Sequence, residues 1–198
     1  MKLTKALSLL FLASGADSVP VSSLYVGGYT LIPEPQKTAL SNADFQLDDT
    51  WRLELGPSVK ANDIAPESLK EQLSERYGLN LGTRGERLIE LRIQPDSVQI
   101  GDTTDPDKAA VQAQAYRMEL DPQRIRITAN AAPGLFYGAQ TLVQLVKAER
   151  GRLWLPKCEI VDWPDVSLRE VFWDELEHLD HLDVMKQAIR RGDDVLDG

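Results

Sequence analysis

The chain has one cysteine, Cys158, and two histidines, His178 and His181, in 198 residues. A single cysteine excludes an intrachain disulfide and any zinc site built on cysteine pairs. Cys158 sits in an apolar strand pattern, the setting of a buried small hydrophobe rather than of a reactive thiolate. Positive charge is also scarce. The 22 basic side chains face 31 acidic ones, a net charge of −9, and the longest run of adjacent basic residues is Arg190-Arg191. Neutralising a phosphate backbone needs clustered Lys and Arg, so a nucleic-acid partner is excluded. No apolar run approaches the ~20 residues that span a bilayer. There is no internal repeat and no low-complexity tract.

What remains is globular. With 42% hydrophobic and 27% charged residues the chain can build a core and is not of the disordered class. Its length suits one medium domain and the opening of another.

The N-terminus has the layout of an export signal. Lys2 and Lys5 are the basic part, Ala6–Ala13 (ALSLLFLA) is a short apolar run, and Ser14-Gly15-Ala16 supplies small residues for cleavage. Residues 1–16 are therefore expected to be a signal peptide and 17–30 a linker. The mature protein is expected to be periplasmic or secreted, with no membrane span after cleavage.

From there the pattern is mixed. Leu31-Ile32-Pro33-Glu34-Pro35 is extended, because each Pro biases its predecessor away from helix. Phe45–Leu47 and Trp51–Leu55 flank Asp48-Asp49, a turn signal, and read as two short strands or a hairpin. Pro66–Tyr77 reads as a helix ending at Gly78, with Leu69, Leu73 and Tyr77 on one side. Leu88–Ile93, Tyr116–Leu120 and Ile125–Thr128 alternate with period two, as half-buried antiparallel strands do, and Asp121-Pro122 turns the last two into a hairpin. Gly101–Lys108 is a polar loop. Ala132–Lys147 is the clearest helix: Ala132, Leu135, Phe136, Ala139, Leu142, Val143 and Val146 form one apolar stripe. Gly134 and Gly138 within it mark close packing against a sheet or another backbone. Phe136 and Tyr137 are expected in the core. Leu153–Leu155 and Cys158–Val161 are short strands, and Trp163-Pro164 breaks the pattern. Val166–Trp173 is strand-like, and Asp180 caps a helix over His181–Arg191 that stops at Gly192.

The expected fold is α+β: a mostly antiparallel sheet over 31–164 with two helices on one face. One further βα unit over 165–198 cannot bury itself and reads as the start of something larger.

Ala131–Leu145 (AAPGLFYGAQTLVQL) resembles the non-catalytic N-terminal domain of glycoside hydrolase family 20, the β-N-acetylhexosaminidases. Leu31–Gln36 (LIPEPQ) is similar to its opening strand, Tyr116–Ala129 (YRMELDPQRIRITA) to its hairpin, and Leu155–Asp165 (LPKCEIVDWPD) to its exit into the catalytic barrel. Related domains precede the barrels of α-glucuronidases and O-GlcNAcases. The Asp-Trp-Pro exit followed by Arg169 favours family 20. The resemblance covers roughly residues 30–190. It implies that 165–198 opens a (β/α)₈ barrel, incomplete here, whose strand ends carry the site. It also implies hydrolysis of terminal N-acetylhexosamine from glycans, with the substrate's own acetamido oxygen as nucleophile and an adjacent Asp-Glu pair assisting.

Residue by residue, the resemblance makes Arg169 the contact to sugar hydroxyls, for which a planar guanidinium is suited. It makes Asp174 and His178 supports near the site. Glu170 stands where the family usually has Gly, and Glu177 where it usually has Arg. No segment matches the catalytic pair. Asp174-Glu175 is adjacent and acidic but falls in the first barrel strand, where successive side chains face opposite ways. No catalytic residue is thus assigned, and the chain is expected to be an inactive part of a glycosidase. The alternative is a non-catalytic carbohydrate-binding or interaction module. His178 and His181 lack a third well-placed ligand, so no metal is assigned, and no cofactor is implied.

Overall fold

A computed structural model describes residues 22–168 of the protein. Its elements are α1 (Ser23–Val26), β1 (Lys37–Leu47), β2 (Trp51–Leu55), α2 (Ile64–Tyr77), β3 (Arg87–Ile93), α3 (Lys108–Ala113), β4 (Tyr116–Asp121), β5 (Arg124–Ala129), α4 (Ala132–Gln144), β6 (Lys147–Glu149) and β7 (Arg152–Asp162). The chain divides into two compact units after Ser167. Of the second, only Leu168 is described, so the strand expected to continue to Trp173 and the helix His181–Arg191 lie outside the described residues. So do the expected signal peptide and the linker up to residue 21.

Seven strands form one sheet in the order β1-β7-β4-β5-β3-β2, with β6 on β7. The class is the expected α+β. The β4–β5 hairpin and the pairings of β7 with β1, β4 and β6 are antiparallel. One expectation needs correction: β3 runs parallel to both β2 and β5. Period-two alternation reports a half-buried strand, not its direction. Direction follows from the connection, and α2 lies between β2 and β3 as the crossover a parallel pair requires.

Of the two readings of Phe45–Leu47 and Trp51–Leu55, two strands or a hairpin, the structure shows two strands: Trp51–Leu55 is β2, Phe45–Leu47 is the end of the longer β1, and the two lie at opposite edges of the sheet. In a flat sheet five inter-strand gaps would hold those edges about 24 Å apart. The connection Asp48–Thr50 spans at most about 14 Å from Leu47 to Trp51. The sheet therefore curls until its edges meet at this corner. Arg87 locks the corner by donating from Nη2 to both carboxylate oxygens of Asp48 at 2.9 Å. Its guanidinium also lies 5.3 Å from the ring centroid of the fully buried Trp51.

The concave face holds the core. Met118, Ile127 and Leu91 are neighbours across β4, β5 and β3, as are Leu120, Ile125 and Ile89. α4 lays Leu135, Ala139, Leu142 and Val143 on them, and all are buried. α2 packs beside α4 with Leu69 and Leu73 buried. Tyr77 Oη donates to the Val143 carbonyl at 3.0 Å. α2 begins at Ile64, two residues before the position Pro66 suggested, and ends at Gly78 with φ +65°, which glycine adopts without strain. α4 stops at Gln144, and Lys147 already starts β6. The close packing expected at its glycines is present. A Cβ on Gly134 would lie 2.5 Å from the Ala115 carbonyl oxygen, and one on Gly138 2.6 Å from Ile127 Cγ2. Phe136 and Tyr137 are half-buried against the core. The two strand pieces read after residue 152 are one strand, β7, of 11 residues.

Candidate functional site

The end of β7 is where the sheet hands its chain on, and the irregular backbone that follows is tied by side chains from three other parts of the chain. Residues 163–167 leave the sheet without secondary structure of their own. The described part of the strand expected over Val166–Trp173 is a bend. The reason is local: side chains, not a neighbouring strand, satisfy its backbone.

Three parts of the chain converge there. From the entry segment, Gln36 donates its backbone N–H to Asp162 Oδ1 at 3.1 Å and its Nε2 to Asp165 Oδ1 at 2.9 Å. From the loop after β3, Thr103 Oγ1 donates to the Asp165 carbonyl at 3.3 Å, and Asp105 Oδ2 accepts the Ser167 N–H at 2.6 Å. From the end of α3, Gln114 Nε2 donates to the Ser167 carbonyl at 2.8 Å. Both backbone groups of Ser167 are thus held by side chains. Asp162 is fixed at the other end of the segment, where Tyr116 Oη donates to its Oδ2 at 3.1 Å.

Between these anchors sits Trp163, 5% exposed, packed with Val98, Val111 and Ala115 in a small core separate from the main one. Lys37 Nζ stands 5.3 Å from the Trp163 ring centroid. The loop that supplies Thr103 and Asp105 is itself pinned by the buried Asn130. Asn130 Oδ1 accepts the Val98 N–H at 2.9 Å, and its Nδ2 donates to the Val98 and Gln112 carbonyls at 2.8 and 2.9 Å. A buried amide so fully matched specifies one loop position. The N–H groups of Ser167 and Asp107 hold the Asp105 carboxyl below the ordinary aspartate range, against a small opposing effect of burial.

Because Asp105 and Asn130 act on different parts of this clamp, their contributions separate. Asp105→Ala should accelerate amide exchange at Ser167 several-fold, while Val98, held by Asn130, keeps its protection. Equal exchange at Ser167 in both proteins would show that the contact does not order the exit.

The convex face of the sheet carries the other concentration of charge. Glu159, Glu119, Arg126, Glu90 and Glu54 form one row across β7, β4, β5, β3 and β2. Arg92 and Arg117 lie in the row on one side of it, Arg124 and Arg52 in the row on the other. Glu90 is 2% exposed. Its Oε2 meets Arg126 Nε at 2.9 Å and Arg92 Nη2 at 3.0 Å, and its Oε1 meets Arg124 Nε at 3.1 Å. Burial alone would raise its pKa, but the hydrogen bond and charge of Arg126, with Arg92 and Arg124, outweigh that and lower it.

Arg169, Asp174 and His178 all lie outside the described residues, as do His181 and Glu175. The residues that sequence reasoning missed are Gln36, Asp105, Gln114 and Asn130. Their signals were weak: single polar residues in stretches read as loop or as the flank of a helix. Cys158 is buried, and desolvation pushes its thiol up to about 12, so it carries no thiolate at neutral pH. Among the described residues no group of three His, Cys, Asp or Glu is placed to hold a metal, and no helix is long and apolar enough to cross a membrane.

The model of glycosyl hydrolase family 20, domain 2, matches residues 28–163. A β-hexosaminidase of Porphyromonas gingivalis is 28% identical over 195 residues, which is 92% of this chain and 23% of that protein. A β-hexosaminidase of Vibrio furnissii is 26% identical over 162 residues, 82% of this chain and 24% of that one. The chain spans about a quarter of the length of these curated relatives. Among solved structures, the chitobiase of Flavobacterium johnsoniae superposes with a TM-score of 0.58 at 18% identity, over 78% of this chain and 24% of that one. That likeness is one of fold.

Proposed function

Since the chain belongs to glycosyl hydrolase family 20 through that family's domain 2, we propose that it serves a β-N-acetylhexosaminidase as the non-catalytic scaffold from which a catalytic barrel starts. The substrates of the complete enzyme are glycans ending in N-acetylhexosamine. The observation that carries this reading is the double hold on Ser167 by Asp105 and Gln114, two residues before Arg169. A side chain that must meet sugar hydroxyls within a few tenths of an ångström needs its backbone fixed by neighbours. The clamp supplies that fixed origin for Arg169 as the sugar contact, with Asp174 and His178 as supports further along. Residues 1–16 act as an export signal, 31–164 form the accessory domain, and 165–198 open the barrel. The protein works in the periplasm or outside the cell.

No segment of the sequence resembles the catalytic Asp-Glu pair, and on this reading the chain is inactive by itself. Purified and incubated with a chromogenic N-acetylglucosaminide, it should release dye no faster than buffer. Enzyme-proportional turnover would overturn this reading. Export is checked on the same protein: material recovered from the periplasm or medium should begin at Asp17, and recovery with residues 1–16 attached would remove the signal.

A further inference from the structure

The convex face carries an excess of the charge the chain is otherwise short of. Beside the Glu90 row, the sheet dips into a hollow of about 280 Å³ whose lining includes Arg92, Arg117, Arg126, Glu119 and the neutral Gln94, Ser97, Val98 and Thr128. Three guanidiniums face one carboxylate there, on a protein whose net charge is −9. The acidic partners of Arg92 and Arg117 lie in the central row, to one side of them, and Arg126 stands in that row between its partners Glu90 and Glu119. Arg92 meets Glu90 at 3.0 Å, Arg117 meets Glu159 at 3.4 Å, and Arg126 meets Glu90 at 2.9 Å and Glu119 at 3.5 Å. Each guanidinium has five donors, and the pairs of Arg92 and Arg117 run through Nη2 and Nε respectively. Glu90 is shared by three arginines, Arg92, Arg124 and Arg126, and with Arg117 the four arginines have three carboxylate partners, Glu90, Glu119 and Glu159, an excess of one positive charge.

We propose that this hollow binds an oxyanion carried on a saccharide, a sulfate or carboxylate group on a glycan. The anion would sit between Arg92 and Arg117, and the sugar hydroxyls would meet Gln94, Ser97 and Thr128. Planar guanidiniums suit both oxyanions, because paired donors match paired oxygens. The volume is at the small end for ligand pockets and takes about one sugar ring. That the oxyanion is borne by a glycan rests on the hexosaminidase reading above; the oxyanion site itself rests only on the arginines.

The test is calorimetric titration of the chain at constant ionic strength with N-acetylglucosamine 6-sulfate, glucuronate, neutral N-acetylglucosamine and sodium sulfate. One or both charged sugars should bind saturably at one site, more tightly than sulfate, and the neutral sugar should not bind there. Arg117→Gln should weaken that binding about tenfold or more. It gives up only a half-exposed pair with Glu159, so an unchanged thermal midpoint shows that the fold is intact. Lys157→Gln, whose partner is Asp121 at 2.8 Å in the farther row, should bind like the parent. Saturable binding by neither charged sugar, or binding untouched by Arg117→Gln, overturns the site. Free sulfate binding as tightly as the charged sugars overturns the saccharide part. Neither result bears on the family, so failure here is separate from failure of the hexosaminidase reading.

Discussion

Gly134→Ala should destabilise the domain by about 2 kcal/mol, although alanine is the better helix former by about 1 kcal/mol. The position is in the first turn of α4, where the helix lies on the end of α3. The added Cβ would stand 2.5 Å from the Ala115 carbonyl oxygen and 3.0 Å from the Gln114 carbonyl carbon and oxygen. These are backbone atoms and cannot rotate aside. The Ala115 carbonyl also accepts the Asn130 N–H at 3.2 Å, and Gln114 holds Ser167. Relieving the clash therefore shifts the helix or loosens both contacts. Overpacking of this kind costs about 1–3 kcal/mol and a lost internal hydrogen bond about 1 kcal/mol, which together exceed the gain in propensity. A thermal midpoint lower by about 4–8 °C is expected. Gly138→Ala should lose less, because its nearest neighbours are the side chains of Ile127 and Tyr116. A midpoint unchanged or raised in Gly134→Ala would mean that the close approach is not needed.

The same two glycines show what a sequence can and cannot reveal. Glycines recurring inside a strong apolar stripe oppose local helix propensity, so close packing was readable from them. What the helix packs on was not, because Ala115 and Tyr116 meet it only through the tertiary fold. Strand existence was readable from alternation in 88–93, 116–120 and 125–128. Strand direction was not, since β3 shows the same period whether it runs parallel or antiparallel to its neighbours. The curl that joins β1 to β2 was hidden for a like reason. Asp48-Asp49 signals a turn, and nothing local distinguishes a hairpin from a corner between two sheet edges. The exit clamp is the hardest case. Gln36, Asp105 and Gln114 reach residues 162–167 over separations of 53 residues or more, and single polar residues carry no period that would announce it.

That clamp and the Glu90 row solve different problems with similar residues. At the exit, neutral and single-charge hydrogen bonds fix backbone groups that no strand pairs. On the convex face, charges cover a sheet surface that no helix among the described residues covers. A bare face of apolar residues would invite association. A row that is mostly Glu, flanked by rows carrying Arg, keeps it hydrated while the strands stay paired. Pairs between half-exposed side chains, such as Arg117 with Glu159, contribute little singly. Glu90 differs because it alone is buried and is shared by three arginines.

Glu90→Gln should accordingly lower stability by about 2 kcal/mol at pH 7. Breaking a buried ion pair by removing one partner costs about 3–5 kcal/mol. The lower figure applies because Arg92, Arg124 and Arg126 are 39%, 50% and 32% exposed and regain water. The pH dependence separates charge from packing. Burial raises the Glu90 pKa and Arg126, Arg92 and Arg124 lower it by more, so the folded value lies below the ordinary 4.5. A depressed carboxylate contributes stability that is fully present above the unfolded pKa and is lost as pH falls through the folded pKa. The gap between parent and Glu90→Gln should therefore be constant from pH 7 to about 5, narrow below about 4.5, and close once the folded carboxyl is protonated. Urea unfolding of both proteins across that range reads it directly. A gap of the same size at pH 7 and at pH 3 would assign the loss to packing and remove the charge of Glu90 from what holds the convex face together.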